Sequence, residues 1–192
     1  MSHSQQLNLN NSKNSLVLLV LGSGEIARTL VALAEPMHYQ ITVCDPALAA
    51  HDWPASVTLL NKNYNEAPFT LAAHTHAVIL RGHEEDELSV VNLLNHSAEH
   101  VYLVASAKRA QSIIDYAMPL INTDALSRLS APAGLELGGK SSQEISLSIL
   151  AEIQWRQHGS TTSLQPLCDL RAARINNSVS GQRDKSCPGK RL

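Results

Sequence analysis

Gly22, Ser23, Gly24, Glu25 and Ala27 fall in the order Gly-x-Gly-x-x-Ala, the spacing of a turn whose backbone approaches a pyrophosphate. Gly22 permits the tight turn, Gly24 lets the phosphates come near the backbone, and Ala27 lets helix and strand pack closely. The free amides and positive dipole end of the helix that follows would face the phosphates. Asp45 stands 23 residues beyond Gly22, close to the offset of roughly 20 at which an acid accepts the ribose hydroxyls. A carboxylate there repels a 2′-phosphate, so NAD-like or ADP-ribose ligands are preferred over NADP-like ones. No Arg or Lys neighbours Asp45 in sequence to reverse this. The plainer alternative is a tight turn with Asp45 and Pro46 opening a loop; strand, turn, helix, strand and acid in order favour nucleotide binding.

Further polar residues gather after later strands. His83 follows Arg81-Gly82 and could donate to a ligand or serve only as a helix cap. Ser106, Lys108 and Arg109 stand at a strand-to-helix junction, where the cations could flank an oxyanion or remain ordinary surface charges. Gly134 and Gly138 belong to the glycine-rich run APAGLELGG, whose Glu136 is read as orienting the loop. His96 and His100 with Glu99, and His74 with His76, have ligand-like spacing but no third ligand in register, so no metal site is expected. Cys44 is read as a buried small apolar residue, with sulfur transfer through it as the alternative. No residue is assigned a catalytic role.

The elements that must position these residues are legible as apolar runs. Leu16 to Leu21, Gln40 to Cys44, Val57 to Leu60, Ala77 to Leu80 and Val101 to Ala105 read as strands alternating with helices. The first helix starts at Glu25, buries Ile26, Leu30, Leu33 and Ala34, and stops at Pro36. A second spans about Glu84 to Asn95, buries Leu88, Val91 and Leu94, and has acids in its first turn for capping and solvation. A third ends near Ala117. After an irregular stretch and the glycine-rich run, Ser141 and Glu144 form a capping box for a long helix with Ile145, Ile149, Leu150 and Ile153 on its apolar face. The pattern predicts an α/β fold: a Rossmann-like doubly wound parallel sheet of order 3-2-1-4-5, with helices on both faces and ligands at the carboxyl ends of the strands.

The 192 residues suit one such domain, expected over 15–158 between a disordered polar leader at 1–14 and a flexible polar tail at 159–192. With 44% hydrophobic and only 4% aromatic residues the core must be aliphatic. Fifteen basic and 17 acidic residues give a net charge of −2, which offers no electrostatic basis for nucleic acid or membrane-surface binding. Three cysteines without a Cys-x-x-Cys spacing, a leader without an apolar core and the lack of a spanning run make a cytoplasmic location the expectation.

The segments GSGEIA, RGH, ASAKR and APAGLELGGKSSQEISLSILAEI together resemble the C-terminal Rossmann domain of the XdhC/CoxI proteins, accessory factors of molybdenum hydroxylases such as xanthine dehydrogenase and carbon monoxide dehydrogenase. The resemblance covers about residues 15–158. It implies a maturation factor that binds molybdenum cofactor (molybdopterin), supports its sulfuration with a cysteine desulfurase and delivers it to an apo molybdenum hydroxylase; a homodimer is a further arrangement. By position, Gly22, Gly24 and Ala27 match the family's phosphate-type loop and Asp45 its acid. His83 matches a His, Ser106, Lys108 and Arg109 match a basic segment, and Pro132, Gly134, Leu135 and Gly138 match its Pro-Ile-Gly-Leu-Asp-Ile-Gly loop. Glu25 stands where the family commonly has His, Ala105 replaces a Gly, and Ala107 replaces an Arg. Full-length members also carry an N-terminal domain, expected here to be absent or supplied in trans. The alternatives in other classes are an NAD-dependent oxidoreductase and a nucleotide-sensing regulatory domain.

Overall fold

Five apolar residues in succession make β1 (Val17–Leu21) the centre of the sheet, buried along its whole length as a parallel strand covered on both faces must be. The computed structural model describes residues 16–66, 70–80, 85–96 and 98–158. β2 (Gln40–Cys44) and β4 (Thr75–Ile79) flank β1 in parallel, so that Val20 lies between Val43 and Val78. β3 (Thr58–Leu60) pairs outside β2, and β5 (His100–Leu103) outside β4. The expected order is therefore present, and a sixth parallel strand, β6 (Leu129–Ser130), extends it to 3-2-1-4-5-6. β6 lies in the stretch that reads as irregular. Two residues cannot display a period of two, and Ser130 is polar although buried.

Alternate side chains of each strand leave the sheet on opposite faces. α1 (Glu25–Ala34) and α5 (Ser142–Gln157) cover Leu18, Val20, Val43, Val78 and Tyr102 on one face. α2 (Asp86–Asn95) and α3 (Ala107–Ala117) cover Leu19, Leu21, Ala77, Ile79, Val101 and Leu103 on the other. Burying each of the Val, Leu and Ile side chains among them contributes roughly 1.5–3 kcal/mol. A single helical turn, α4 (Thr123–Leu126), precedes β6.

Two helix faces differ from expectation. α1 buries Ala27, Leu30, Val31 and Ala34, leaving Leu33 37% exposed and Ile26 only partly covered. The small Ala27 and Ala34 set the buried stripe, because close packing on the sheet and on α5 needs residues without bulk. α2 starts at Asp86 and buries Asp86, Ser89, Val90, Val91, Leu93 and Leu94, while Leu88 is 42% exposed. The stripe is thus rotated off Leu88, and Asp86, expected at the solvated cap, lies inside. α5 buries Ile149, Leu150 and Ile153, with Ile145 packed at the margin. Its capping box forms: Glu144 N–H donates to Ser141 Oγ at 3.3 Å, and Glu144 Oε2 accepts from Ser141 N–H at 3.0 Å and from Lys140 N–H at 3.1 Å. Ser146 Oγ donates to the Ile26 carbonyl at 3.0 Å, fastening α5 to the first turn of α1. Among the described residues no helix is long and apolar enough to cross a membrane.

Candidate functional site at the carboxyl rim of the sheet

The strand order reverses between β1 and β4, and doubly wound sheets bind ligands beyond the carboxyl ends at that point. The chain leaves β1 through Gly22, whose φ of 121° is open to glycine and strained for other residues. Gly22 N–H donates to the Cys44 carbonyl at 3.1 Å, tying the turn to the end of β2. Gly24 then caps α1 in extended geometry, without a side-chain hydrogen bond. A Cβ at Gly24 would meet nothing within 4 Å. No internal packing therefore requires glycine at 24, and the bare backbone faces open room. The Arg28 amide reaches the Gly24 carbonyl at 3.1 Å, while the amides of Glu25, Ile26 and Ala27, the first of the helix, have no acceptor among the described residues. Ser23 is half-buried between the two glycines, Ala27 is fully buried, and Glu25 is exposed in the first turn.

Asp45 sits at the end of β2, its amide on the Leu60 carbonyl at 3.1 Å. Its Oδ1 accepts from Ala47 N–H at 2.7 Å, an Asx turn that fixes the carboxylate. Oδ2 and the unused capacity of Oδ1 are what remains for a ribose hydroxyl. Although no cation adjoins Asp45 in sequence, Arg28 lies against the same β2–β3 connection: its Nη1 is 3.7 Å from Asp52 Oδ2 and donates to the Ser23 carbonyl at 2.9 Å. Arg28 is absent from the sequence-derived candidates because it follows the fingerprint; its signal is a lone cation one helical turn past Gly24.

On the far side of the reversal, Ser106 caps α3 by accepting from Arg109 N–H at 3.3 Å. Lys108 is exposed, whereas the Arg109 guanidinium is turned to Glu87 of α2, Nη1 to Oε1 3.7 Å. His83, with Arg81 and Gly82, lies outside the described residues. The rim thus brings together the glycine turn, Asp45 and the start of α3.

Gly134 and Gly138 have internal explanations. Gly134 has a φ of 102°, and a Cβ there would come within 2.5 Å of Ser148 Oγ. Its amide donates to Glu152 Oε2 at 2.7 Å. The Gly138 amide donates to Glu136 Oε1 at 3.0 Å, so Glu136 does orient its own loop, and although a Cβ at Gly138 would meet nothing within 4 Å, its φ of 81° is strained for any other residue.

Glu152 belongs to a second polar network, on the α5 side of the sheet, that reaches from His100 at the start of β5 to Ser130 at the end of β6 and Gly134 beyond it. It is 5% exposed and accepts from Ser130 Oγ, from Gly134 N–H and from Arg156 Nε at 2.8 Å. Ser130 Oγ also bonds His100 Nε2 at 2.8 Å, and His76 Nδ1 bonds the Tyr102 hydroxyl at 3.0 Å. Burial and the nearby Arg156 guanidinium push His100 down to about 4, and burial pushes His76 down and Tyr102 up. Burial also pushes the Glu152 carboxyl up, but the Ser130, Arg156 and Gly134 donors outweigh it and hold it below the ordinary value. Sequence spacing hides this acid in the apolar stripe of α5, at i+3 from Ile149 and beside Ile153. The remaining paired histidine of the group, His74, meets Glu99 at 2.6 Å. Cys44 is buried, its Sγ 3.3 Å from the Lys62 carbonyl.

The domain has counterparts in known proteins. The model of the XdhC Rossmann domain matches residues 18–153. Over 142 residues the chain is 26% identical to the uncharacterized protein YqeB of Escherichia coli (strain K12), covering 71% of this chain and 26% of that protein. Its fold is that of a Bacillus halodurans protein described as a xanthine dehydrogenase, with a TM-score of 0.66 at 18% identity over 79% of this chain and 45% of the other. The chain spans about a quarter of the length of the curated relative and under half of the solved one. Because the domain match takes in β1 to β6 and most of α5, the chain belongs to the XdhC family through its Rossmann domain.

Proposed function

We propose that the chain is an accessory protein in the maturation of a molybdenum hydroxylase, and that its rim holds a phosphate-bearing ligand without turning it over. The observation that carries this reading is the glycine turn itself: Gly24 has no internal packing reason to lack a side chain, and the amides beside it lack acceptors among the described residues. Backbone donors at a helix start suit an oxyanion. Molybdenum cofactor supplies one through its pterin phosphate, and an NAD-like dinucleotide through its pyrophosphate. Asp45 would receive a ribose hydroxyl in the second case, and Lys108 would add positive charge in either. Family membership supports delivery to an apo hydroxylase, with a cysteine desulfurase as the sulfur source. When bound, the molybdenum cofactor would supply redox chemistry to the client enzyme; this chain's residues bind and orient it.

Native mass spectrometry of the protein from a molybdenum-replete host, beside Asp45→Ala and Lys108→Ala, tests the reading. A bound pterin lost in the Lys108 variant supports cofactor delivery. A bound NAD or ADP lost in the Asp45 variant favours a nucleotide sensor or an oxidoreductase instead, and a protein empty in all three forms contradicts a stably held ligand.

A further inference from the structure

Arg28 is the cation that the fold lays on the glycine turn. Helical side chains lean towards the helix N-terminus, and Arg28, one turn into α1, reaches back to place Nη1 2.9 Å from the Ser23 carbonyl. Its acidic neighbour, Asp52 Oδ2, is 3.7 Å from the same nitrogen, and both side chains are more than a third exposed. That distance is beyond a hydrogen bond, and such an exposed pair is held weakly. A guanidinium has five donors in a planar fork that matches two phosphate oxygens, and the contacts made here pass through one nitrogen.

The charge around the turn calls for such a group. Glu25 places a carboxylate in the first turn of α1, where it repels any anion seated on the amides. Lys108 stands after β5, two strands away from β1, about 10 Å at the usual strand spacing. Arg28 instead touches the turn, on the side of the β2–β3 connection that carries Asp45 and Asp52. We infer that Arg28 is a phosphate-binding residue of this rim, exchanging its loose approach to Asp52 for the oxygens of a phosphate seated on the amides of Glu25 to Ala27. The assignment rests on the reading of the rim as a phosphate seat.

Calorimetric titration of the full chain with ADP-ribose and, anaerobically, with molybdopterin released from a purified hydroxylase tests it on wild type, Arg28→Gln, Arg28→Lys and Asp52→Asn. The glutamine variant weakens binding about tenfold, lysine restores part of the loss as a charge without the fork, and Asp52→Asn tightens binding by releasing the guanidinium. Melting temperatures stay at the wild-type value, which separates a binding role from a structural one. Weakening of one probe alone supports Arg28 as the seat for that ligand's phosphate. Equal affinity of wild type and Arg28→Gln for a probe that wild type binds overturns the assignment while leaving the seat intact. Failure of wild type to bind either probe removes the seat, and the role of Arg28 with it.

Discussion

At the carboxyl ends of the strands, the first amides of α1 and the Lys108 ammonium have no protein acceptor among the described residues. Between α5 and strands β5 and β6, His100, Ser130 and Glu152 form a buried chain in which each polar group meets another, and the exposed Arg156 closes it at the surface. Both regions are rich in groups that could do chemistry, and they differ in whether those groups are already used. A satisfied buried network contributes to stability and leaves no valence for a ligand. Open amides at a helix start contribute little to stability and are available. The difference separates a fold-keeping network from the open glycine turn more sharply than residue type does.

The comparison breaks most readily at Glu152. Glu152→Ala takes the acceptor from the Gly134 amide, leaves the Ser130 hydroxyl with His100 alone and opens a cavity beside them, and a loss of about 3 kcal/mol is expected in urea unfolding; Glu152→Gln, which keeps an acceptor, loses less. A cost below about 1 kcal/mol would mean that the network is not a structural unit. Acid acts next. Unfolded His100 takes up a proton near its ordinary value of 6.5, but the folded form does so only near about 4. Below pH 6.5 the unfolded chain therefore binds more protons, and stability falls as pH drops, levelling off below about 4, by up to about 3 kcal/mol. His76 adds to this in the same direction. Glu152 adds a further loss as pH falls through its folded value, which is held below 4.5. Urea midpoints measured from pH 7 to 4 check the slope, and His100→Gln should flatten it.

The glycines sharpen the contrast with smaller effects. Gly134→Ala places a methyl against Ser148 Oγ at a φ of 102°, and about 1–3 kcal/mol of stability should be lost. Gly24→Ala, in an extended conformation with open space beyond, should leave stability within about 0.5 kcal/mol while its methyl obstructs whatever approaches the turn. Thermal melts and ADP-ribose titration of the two variants, taken together, tell a packing glycine from a binding one.

Much of this was legible in the chain. β1, β2, β4 and β5 announce themselves as apolar runs, and the Gly22 turn, its helix and Asp45 follow at spacings that only a βαβ unit explains. The capping box of α5 was equally plain. β6 was not, because two residues carry no periodic signal, and Leu88 and Leu33 misled because a helix on a flat sheet selects its buried stripe by fit as well as by apolarity. Gly134 and Gly24 stand alike as candidates in the sequence, which cannot show that Ser148 fills the room beside one and nothing fills the room beside the other. Glu152 and Arg28 escaped for a related reason: an acid inside an apolar stripe and a cation folded back on its own turn acquire meaning only from neighbours far away along the chain or from the direction a side chain takes.

The bond from Ser146 to the Ile26 carbonyl joins residues 120 positions apart, and α1 packs more extensively on α5 than on any other helix. During synthesis the first turn of α1 leaves the ribosome 120 residues before the part of α5 that it is tied to. Until residue 157 has emerged, Leu30, Val31 and Ala34 lack part of their cover, leaving a nascent intermediate with sticky apolar surface. Such long-range contacts slow folding, so a chain stopped before α5 should be captured by holdase chaperones, and the glycine turn should become rigid only once α5 has docked.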